Sequence, residues 1–400
     1  QQRPLGRSGL WVGRIGLGTM TWGRQTDEFE ARDQLAAFLD IGGTLIDTAD
    51  SYAKGVSEEM LGVLIQEFEC RADIVLATKA VQRPDTERRL DASRGHLVGA
   101  LDASLKRLDV DHVDLWQLHR WDSWTPIEET LSAVDHALQS GKARYVGISN
   151  YSGWQTARAC TLQDSRGVAP FVTTQMEYSL LERGIEREIV PAAPSLGIGI
   201  LPWSPLGRGV LTGKYRHSIP IDSRGGNPET SGFVNAYNND RSHRIVDAVC
   251  TAAEGLDAAP GEVALAWLRD RPGVVAPIVG ARTTQQLISA LGSEELELPS
   301  EIVTALDDIS EPDAGYPELV GRNAGKRALL GVARSVSQRH STWEFREVSV
   351  SRDTPREEAR QILTSTAETG RWELDRTRIF RDGRRHYRLR RRIYRVMRTA

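Results

Sequence analysis

Eight short apolar segments alternate with longer amphipathic segments over about the first 295 residues, and this alternation constrains the fold more than any other feature. Most are continuous apolar runs that end in polar residues, as is typical of parallel strands buried on both faces. Between them, residues 27–41 have helical apolar spacing, Ser93 is a candidate N-cap, and Pro126 begins a further helix. The strand candidates are residues 15–18, 44–47, 74–79, 113–119, 145–149, 171–177, 199–203 and 275–279. This order favours either a closed (β/α)8 barrel or a doubly wound sheet.

The alternation is interrupted once and then stops. Residues 207–241 form a long segment rich in Gly, Pro, Asn and Ser, which predicts a loop of the kind that borders barrel active sites. After residue 310 we predict a helix over 326–336, then strand 342–350, helix 354–369 and strands 372–380 and 384–396. Asp382-Gly383 predicts a tight hairpin turn between the last two strands.

Three parts follow from these patterns. Residues 1–315 are sufficient for a barrel, which needs about 250 residues. Residues 316–341 form a linker with one candidate helix, and residues 342–400 form a small α+β domain with the order β-α-β-β.

The charge is divided unevenly between these parts. Residues 341–400 contain 16 Arg and no Lys against 9 acidic residues, so they carry +7 while the preceding residues carry −10, for a total of −3. The basic tail could bind nucleic acid or phosphate, but a solvated sheet face that uses Arg is the favoured interpretation. The tail also resembles a small domain of unknown function from high-GC actinobacteria.

Cysteine usage and hydropathy bear on location. The three cysteines, Cys70, Cys160 and Cys250, are far apart and form no CxxC pattern, which argues against a disulfide framework and a metal site. No apolar run approaches the roughly 20 residues that span a bilayer, and the first ten residues lack an apolar signal region. We therefore expect a cytoplasmic protein with no membrane association.

Four chemically useful residues lie at the carboxyl ends of three consecutive strand candidates. Asp47 and Tyr52 follow the second candidate, Lys79 ends the third and His119 ends the fourth. In a parallel barrel all four would lie on the catalytic face. A tyrosine is a weak acid, a neighbouring lysine lowers its pKa, an aspartate can hold that lysine, and a histidine can polarise a carbonyl. The set predicts proton donation to a carbonyl group during its reduction.

The same segments closely resemble the aldo-keto reductase superfamily, particularly the members related to potassium-channel β subunits and bacterial general reductases. The resemblance covers about residues 3–310. The matching motifs are residues 46–52 (IDTADSY), 57–62 (SEEMLG), 78–79 (TK), 114–119 (DLWQLH), 147–150 (GISN), 175–179 (QMEYS), 203–207 (WSPLG) and 277–282 (PIVGAR). The resemblance implies a TIM barrel that binds NADPH and reduces an aldehyde or ketone to an alcohol.

It also implies residue roles. Tyr52 would be the general acid, Lys79 and Asp47 would tune it, and His119 would orient the substrate. The cofactor would contact Thr19, Met20, Asp47, Ser149, Asn150, Gln175, Trp203, Ser204, Leu206, Lys214, Arg224, Gly280, Arg282 and Gln286. Among these, Trp203 would stack on the nicotinamide ring. Arg282 would bind the 2′-phosphate, because a guanidinium presents paired donors to phosphate oxygens, and it therefore favours NADPH over NADH.

Alternatives to this interpretation remain at the sequence level. No GxGxxG fingerprint follows any strand candidate, so a nicotinamide cofactor would be bound without the Rossmann motif. The chain could instead be a cofactor-sensing regulatory subunit that binds NADPH with little turnover, as channel β subunits suggest.

Trp121 and Trp124, close to His119, suggest an aromatic-walled substrate pocket. Neither the substrate nor the oligomeric state can be read from the sequence.

Overall fold

The protein is described here by a computed structural model. It describes residues 1–221, 223, 225–228, 230–313, 315, 341–368, 372–379 and 384–394, with the side chains of 341–345, 368, 375, 378 and 392–394 left aside. The chain divides into two compact units, Gln1–Asp313 and Ala314–Ala400.

The first unit is built around eight parallel strands. After a short antiparallel hairpin of β1 (Gln2–Pro4) and β2 (Trp11–Gly13), these strands follow in chain order. They are β3 (Gly16–Gly18), β4 (Leu45–Asp47), β5 (Val75–Ala80), β6 (Val113–Leu118), β7 (Ala143–Ser149), β8 (Phe171–Glu177), β9 (Gly199–Trp203) and β10 (Ile278–Val279). The sheet order is β10-β3-β4-β5-β6-β7-β8-β9. Each strand from β3 to β8 therefore pairs with the next barrel strand in the sequence, and β10 pairs with β3.

The two ends of this sheet meet at Ile200. Its amide donates to Gly273 O at 2.9 Å, and its carbonyl accepts from Val275 N at 2.9 Å. The eight strands therefore form a near-closed (β/α)8 barrel, which confirms the predicted fold class and excludes the doubly wound sheet.

Helices surround the barrel. Asp27 caps the first helix by accepting from Glu30 N, which is the arrangement expected of an Asp before an amphipathic run. The helices are α1 (Glu28–Asp40), α2 (Val56–Glu67), α3 (Arg94–Leu108), α4 (Ile127–Gln139), α5 (Gly153–Ser165), α6 (Ile189–Leu196), α7 (Ser231–Asn235), α8 (Asp240–Leu256), α9 (Pro260–Arg269), α10 (Thr284–Leu291) and α11 (Ser300–Ile309). Short 3₁₀ turns lie at Tyr52–Gly55, Gly184–Glu186, Gly207–Thr212 and Gly292–Glu294.

Alternation along the strands separates two hydrophobic cores. Leu45, Val75 and Leu115 point into the barrel, where the hairpin residues Leu5 and Val12 join them and cover its amino-terminal end. The intervening residues Ile46, Leu76 and Trp116 belong to the larger core between strands and helices. Inward positions nearer the carboxyl ends of the strands are consequently available for polar residues.

The sequence prediction was wrong in three details of this unit. The hairpin β1–β2 was not predicted, because β1 (QRP) contains no run of apolar residues that would indicate a strand. The 207–241 segment is not a plain loop, since it contains the turn Gly207–Thr212, helix α7 and the start of α8. Strand β10 is shorter than predicted, and Pro277 just before it cannot donate a ladder hydrogen bond.

The described residues of the second unit form a three-stranded antiparallel sheet and one helix. Its elements are β11 (Ser341–Val350), α12 (Arg356–Glu368), β12 (Glu373–Ile379) and β13 (Arg385–Tyr394), with β13 central in the sheet. Val350, Ala359 and Leu389 are its buried apolar residues. The order β-α-β-β is thereby confirmed, whereas the predicted helix at 326–336 and the Asp382-Gly383 turn lie outside the described residues.

Across the residues that the structure describes, none of the helices combines the length and hydropathy needed to cross a membrane.

Candidate active site

The inward alternation that builds the barrel core also places polar side chains at its carboxyl end. Asp47 follows Leu45 by two residues in β4, and Lys79 follows Ala77 by two in β5. Gln117 occupies the same level in β6, two residues beyond Leu115. Side chains two residues apart in a strand point to the same face. These three polar side chains therefore point into the barrel, just beyond its apolar interior toward the carboxyl ends of the strands.

Lys79 is fully buried and makes three hydrogen bonds. Its Nζ donates to Asp47 Oδ2 at 2.6 Å, to Thr48 O at 2.8 Å and to Tyr52 OH at 3.3 Å. Burial alone would lower the pKa of Lys79, but Asp47 and then Tyr52 raise it above its ordinary value. The lysine is therefore a fixed positive charge within hydrogen-bond distance of the phenol.

Two amides hold the carboxylate that pairs with this lysine. Asp47 Oδ1 accepts from Gln175 Nε2 at 2.9 Å and from Gln117 Nε2 at 3.3 Å. Asp47 is 2% exposed, so its charge is desolvated and needs all these donors. Gln117 was not predicted as a site residue, although the inward alternation of β6 would have indicated it.

Tyr52 is presented by a turn with unusual backbone geometry. Ala53, Lys54 and Gly55 have φ values of 48°, 59° and 98°, a left-handed run that only glycine adopts without strain. Burial raises the pKa of Tyr52 above its usual value, although the Lys79 ammonium acts in the opposite direction. The expectation of a lowered pKa is therefore wrong for this state, because desolvation outweighs the lysine. The phenol stays protonated, as a proton donor must.

His119 completes the group at the end of β6. Its ring centroid lies 5.9 Å from that of Tyr52, in an edge-to-face arrangement. Burial, with Lys79 and Arg120 adding to it, holds the pKa of His119 well below its usual range. The imidazole is therefore neutral and keeps one N–H as a hydrogen-bond donor.

All four predicted catalytic residues are thus brought together at one end of the barrel, beside a large cavity. The cavity has a volume of about 1130 Å³, and Asp47, Tyr52 and His119 line it while Lys79 lies behind them. The other predicted residues on its wall are Met20, Ser149, Asn150, Gln175, Trp203, Ser204, Leu206, Lys214, Gly280, Arg282 and Gln286. Thr19 is buried, its hydroxyl 2.8 Å from Ser57 Oγ, and it is not on the wall. Arg224 lies outside the described residues.

A chain of hydrogen bonds fixes the amide-bearing side of this cavity. Asn150 Nδ2 donates to His119 O at 3.0 Å, and Trp203 Nε1 donates to Asn150 Oδ1 at 3.0 Å. Ser149 Oγ donates to Gln175 O at 2.8 Å. Asn150 and Ser204 both have positive φ, 56° and 53°, which is uncommon for residues other than glycine. Side chains that could hold a nicotinamide carboxamide are therefore fixed by hydrogen bonds within the protein.

The cavity also differs from the expected aromatic pocket. Trp124 is 85% exposed, and Trp121 packs edge-on against Tyr151 and Trp154. Neither Trp121 nor Trp124 is among the described residues that line the cavity.

Asp50 and Glu58, close to Tyr52 in the sequence, form an acidic pair that the sequence analysis did not single out. Arg107 binds Glu58 at 2.6 Å, whereas Asp50 Oδ1 is buried without a hydrogen-bond partner in the described structure. Burial, and secondarily repulsion from Glu58, raise the pKa of Asp50 to about 7. Its ordinary value is about 3.9.

This raised pKa predicts a pH-dependent cost in stability. The folded protein retains a proton on Asp50 that the unfolded chain releases above about pH 4, so stability falls as the pH rises from there through about 7. Asp50→Asn removes the ionisation. We subtract the free energy of unfolding of the wild type from that of Asp50→Asn, both measured by urea unfolding. This difference should be at least about 1 kcal/mol larger near pH 8 than near pH 5. An equal difference at both pH values would contradict this interpretation.

Two families match the sequence, one for each unit. Residues 14–311 match the Aldo/keto reductase family. Residues 342–392 match a Family of unknown function (DUF5703). Both matches agree with the resemblances inferred from the motifs.

Individual relatives cover most of the chain. It is 37% identical over 322 residues to the Uncharacterized oxidoreductase YrpG of Bacillus subtilis (strain 168), an alignment that spans 76% of this chain and 94% of the relative. It is 36% identical over 292 residues to a Probable voltage-gated potassium channel subunit beta of Oryza sativa subsp. japonica, spanning 72% and 89%. The protein of that description from Arabidopsis thaliana is 37% identical over 322 residues, spanning 80% and 98%.

Proposed function

The chain belongs to the aldo/keto reductase family, and from this premise we propose that it is an NADPH-dependent oxidoreductase that reduces an aldehyde or ketone to an alcohol. Its substrate would be a small carbonyl compound, and Tyr52 would be its general acid. A reducing cytoplasm is the compartment that suits it, since all three cysteines are free thiols.

The observation that carries this proposal is the Asp47–Lys79–Tyr52 contact chain. A buried ammonium 3.3 Å from a protonated phenol stabilises the phenolate that forms when the proton leaves. The Asp47 carboxylate and the Thr48 carbonyl hold that ammonium in position, and two amides in turn hold the carboxylate. The arrangement suits a donor that loses its proton only while a substrate oxygen gains negative charge.

Each residue has a definite part in this chemistry. When bound, the reduced nicotinamide supplies the two electrons and the hydrogen that reach the carbonyl carbon. Tyr52 donates its proton to the carbonyl oxygen as that bond is reduced, so an alcohol forms and the phenolate is later reprotonated from solvent. The neutral His119 donates a hydrogen bond to the same oxygen and aligns it with the phenol.

The cavity residues fit a phosphorylated dinucleotide. Ser149, Asn150 and Gln175 offer amide and hydroxyl groups at the catalytic end, and Trp203 offers a flat ring beside them. Lys214 and Arg282 place positive charge on other parts of the same wall. Arg282 follows the eighth barrel strand, a position where barrels often bind phosphate.

Arg282 gives a direct test of nucleotide choice. If its guanidinium binds the 2′-phosphate, Arg282→Gln should weaken NADPH binding by about 10- to 100-fold, because a charge-assisted hydrogen bond is lost. NADH lacks that phosphate, so its affinity should change little and serves as the internal control. Fluorescence titration of both nucleotides measures the two effects. An equal loss for NADH and NADPH would contradict the assignment.

A regulatory role is the second candidate, and the similarity to proteins described as potassium channel β subunits favours it. In that case the barrel would bind NADPH but turn over no carbonyl compound. A panel of aldehydes and ketones, followed by the loss of nicotinamide absorbance, separates the two functions. Steady NADPH consumption with any member supports the reductase, whereas tight binding without turnover across the panel supports the regulatory role.

A further inference from the structure

The large cavity is positively charged although the barrel-containing part of the chain is acidic. Five cationic side chains line it, and Asp47, already paired with Lys79, is the one carboxylate among the described lining residues. The cations are Arg24, Arg120, Arg208, Lys214 and Arg282. Because residues 1–340 carry a formal charge of −10, this concentration of positive charge is local. The cavity therefore favours anionic ligands.

Three of these cations are already accounted for. Arg208 makes two hydrogen bonds to the Glu177 carboxylate, at 3.2 and 3.1 Å, so its charge is balanced. Lys214 and Arg282 belong to the part of the wall that the proposed function gives to the nucleotide phosphates. The other two cations, Arg24 and Arg120, are assigned neither to a carboxylate nor to the nucleotide.

Arg120 lies directly beside the reacting groups. It follows His119, whose backbone is held by His119 N donating to Ala80 O at 2.8 Å and by Asn150 donating to His119 O. Its charge contributes to keeping the imidazole neutral, by lowering the pKa of His119. The residue therefore has a rigid base and a side chain at the catalytic end of the cavity.

No carboxylate of the described structure neutralises Arg120, which makes no hydrogen bond or ion pair there. The nearest acid along the chain, Asp122, is buried and fully engaged elsewhere. Its oxygens accept from Arg88 at 2.9 Å and Thr125 at 2.7 Å, and from the backbone amides of Ala92 and Trp124, both at 3.0 Å. The guanidinium of Arg120 is thus exposed to the cavity as an uncompensated charge.

Arg24 lies on the other side of the same site. It belongs to the loop after β3, whereas Arg120 follows β6, and β4 and β5 with Asp47 and Lys79 lie between those strands. The loop lies close to the Tyr52 turn and the start of α2, since a Cβ on Gly23 would lie 3.3 Å from Ala53 Cβ and 2.6 Å from Val56 Cγ1. The side chain of Arg24 likewise makes no hydrogen bond or ion pair within the described structure, although its backbone amide donates to Thr21 O at 3.2 Å.

We propose that the physiological substrate is a carbonyl compound that also carries an oxyanion such as a carboxylate, and that Arg120 binds this group while the carbonyl oxygen lies between Tyr52 and His119. The inference rests on the proposed reductase function and specifies its substrate class. Arg24 strengthens the positive potential at the opposite side of the entrance. A guanidinium binds a planar carboxylate through two parallel hydrogen bonds, which also orients the substrate.

The test compares a charged and an uncharged aldehyde that otherwise differ by one methyl group, 4-carboxybenzaldehyde and its methyl ester, with saturating NADPH at low ionic strength. The wild type should reduce the acid with a kcat/KM at least about tenfold higher than that of the ester. Arg120→Gln should lower this ratio by about tenfold or more, mainly through KM for the acid. Added salt should lower it as well, because it screens the attraction.

Arg158→Gln is the matched control. Arg158 lies on the outer helix α5, is 51% exposed and pairs with Glu128 at 3.0 Å, so its loss should leave the ratio unchanged. An ester reduced as well as the acid by the wild type would contradict the substrate class alone. A ratio that survives Arg120→Gln would contradict the role of Arg120. Turnover of neither aldehyde would contradict the proposed substrate class, and the panel of aldehydes and ketones then shows whether the reductase function itself has failed.

Discussion

Tyr52→Phe is expected to lower kcat by at least about 10³-fold while leaving the affinity for NADPH within a few-fold of the wild type. The substitution removes the only proton donor that Lys79 contacts among the described residues. It should not unfold the protein, because Lys79 keeps its bonds to Asp47 and Thr48. Single-turnover measurements with a reducible aldehyde, alongside a fluorescence titration of NADPH, separate the chemical step from binding.

Tyr145→Phe is the matched control for this substitution. Tyr145 packs against the apolar cluster inside the barrel, away from the catalytic end, so losing its hydroxyl should leave kcat nearly unchanged. Comparable kcat values for the Tyr52 variant and the wild type would exclude the phenol as the acid. A parallel loss in both tyrosine variants would point to a general packing effect instead.

Lys79→Met is expected to affect both activity and stability. It leaves the Asp47 carboxylate, 2% exposed, with its two amide donors but without its cation. Breaking a buried pair from one side costs about 3–5 kcal/mol. Turnover should fall by about 10²-fold or more, because the phenolate that forms during proton transfer loses its neighbouring charge. Urea unfolding and steady-state kinetics measure the two effects.

The same substitution elsewhere provides the control. Lys142 pairs with Asp102 at 2.6 Å, with side chains 36% and 51% exposed, so Lys142→Met should cost no more than about 1 kcal/mol and leave kcat unchanged. The double variant Lys79→Met with Asp47→Asn removes the orphaned charge and should recover much of the stability without restoring turnover. Recovery of turnover in that double variant would contradict the role assigned to the lysine.

Much of the barrel could be predicted because buried parallel strands leave a strong sequence signal. Strands β8 and β9 have the predicted bounds, and β4 to β7 differ from them by at most two residues at either end. The four catalytic residues could be placed together for the same reason, since each lies at or just after the carboxyl end of a strand. The hairpin strands β1 and β2 escaped this reasoning because β1 is polar, and β10 was predicted too long because the apolar run around it extends beyond its two residues.

The rest of the site depends on contacts that no local pattern contains. Gln175 reaches Asp47 across 128 residues of sequence, which only the curvature of the barrel makes possible. The direction of the pKa shift at Tyr52 depends on how far burial outweighs one lysine, and burial is a property of the folded chain. The uncompensated charge of Arg120 is likewise visible only in the structure. Asp122 lies two residues away in the sequence, but its carboxylate bonds to Arg88 and Thr125 instead.

The central claim is that Tyr52 protonates a carbonyl oxygen while reduced nicotinamide delivers its hydrogen to the carbon. Lys79 stabilises the phenolate that this proton transfer leaves on Tyr52. The most direct test is to follow deuterium from NADPH that is deuterated at both C4 positions into the alcohol formed from 4-carboxybenzaldehyde, with the wild type and Tyr52→Phe in parallel. The wild type should place deuterium on the carbinol carbon with NADP⁺ formed in equal amount, and the variant should form almost none. Alcohol without deuterium, or equal labelling by both proteins, would contradict the account.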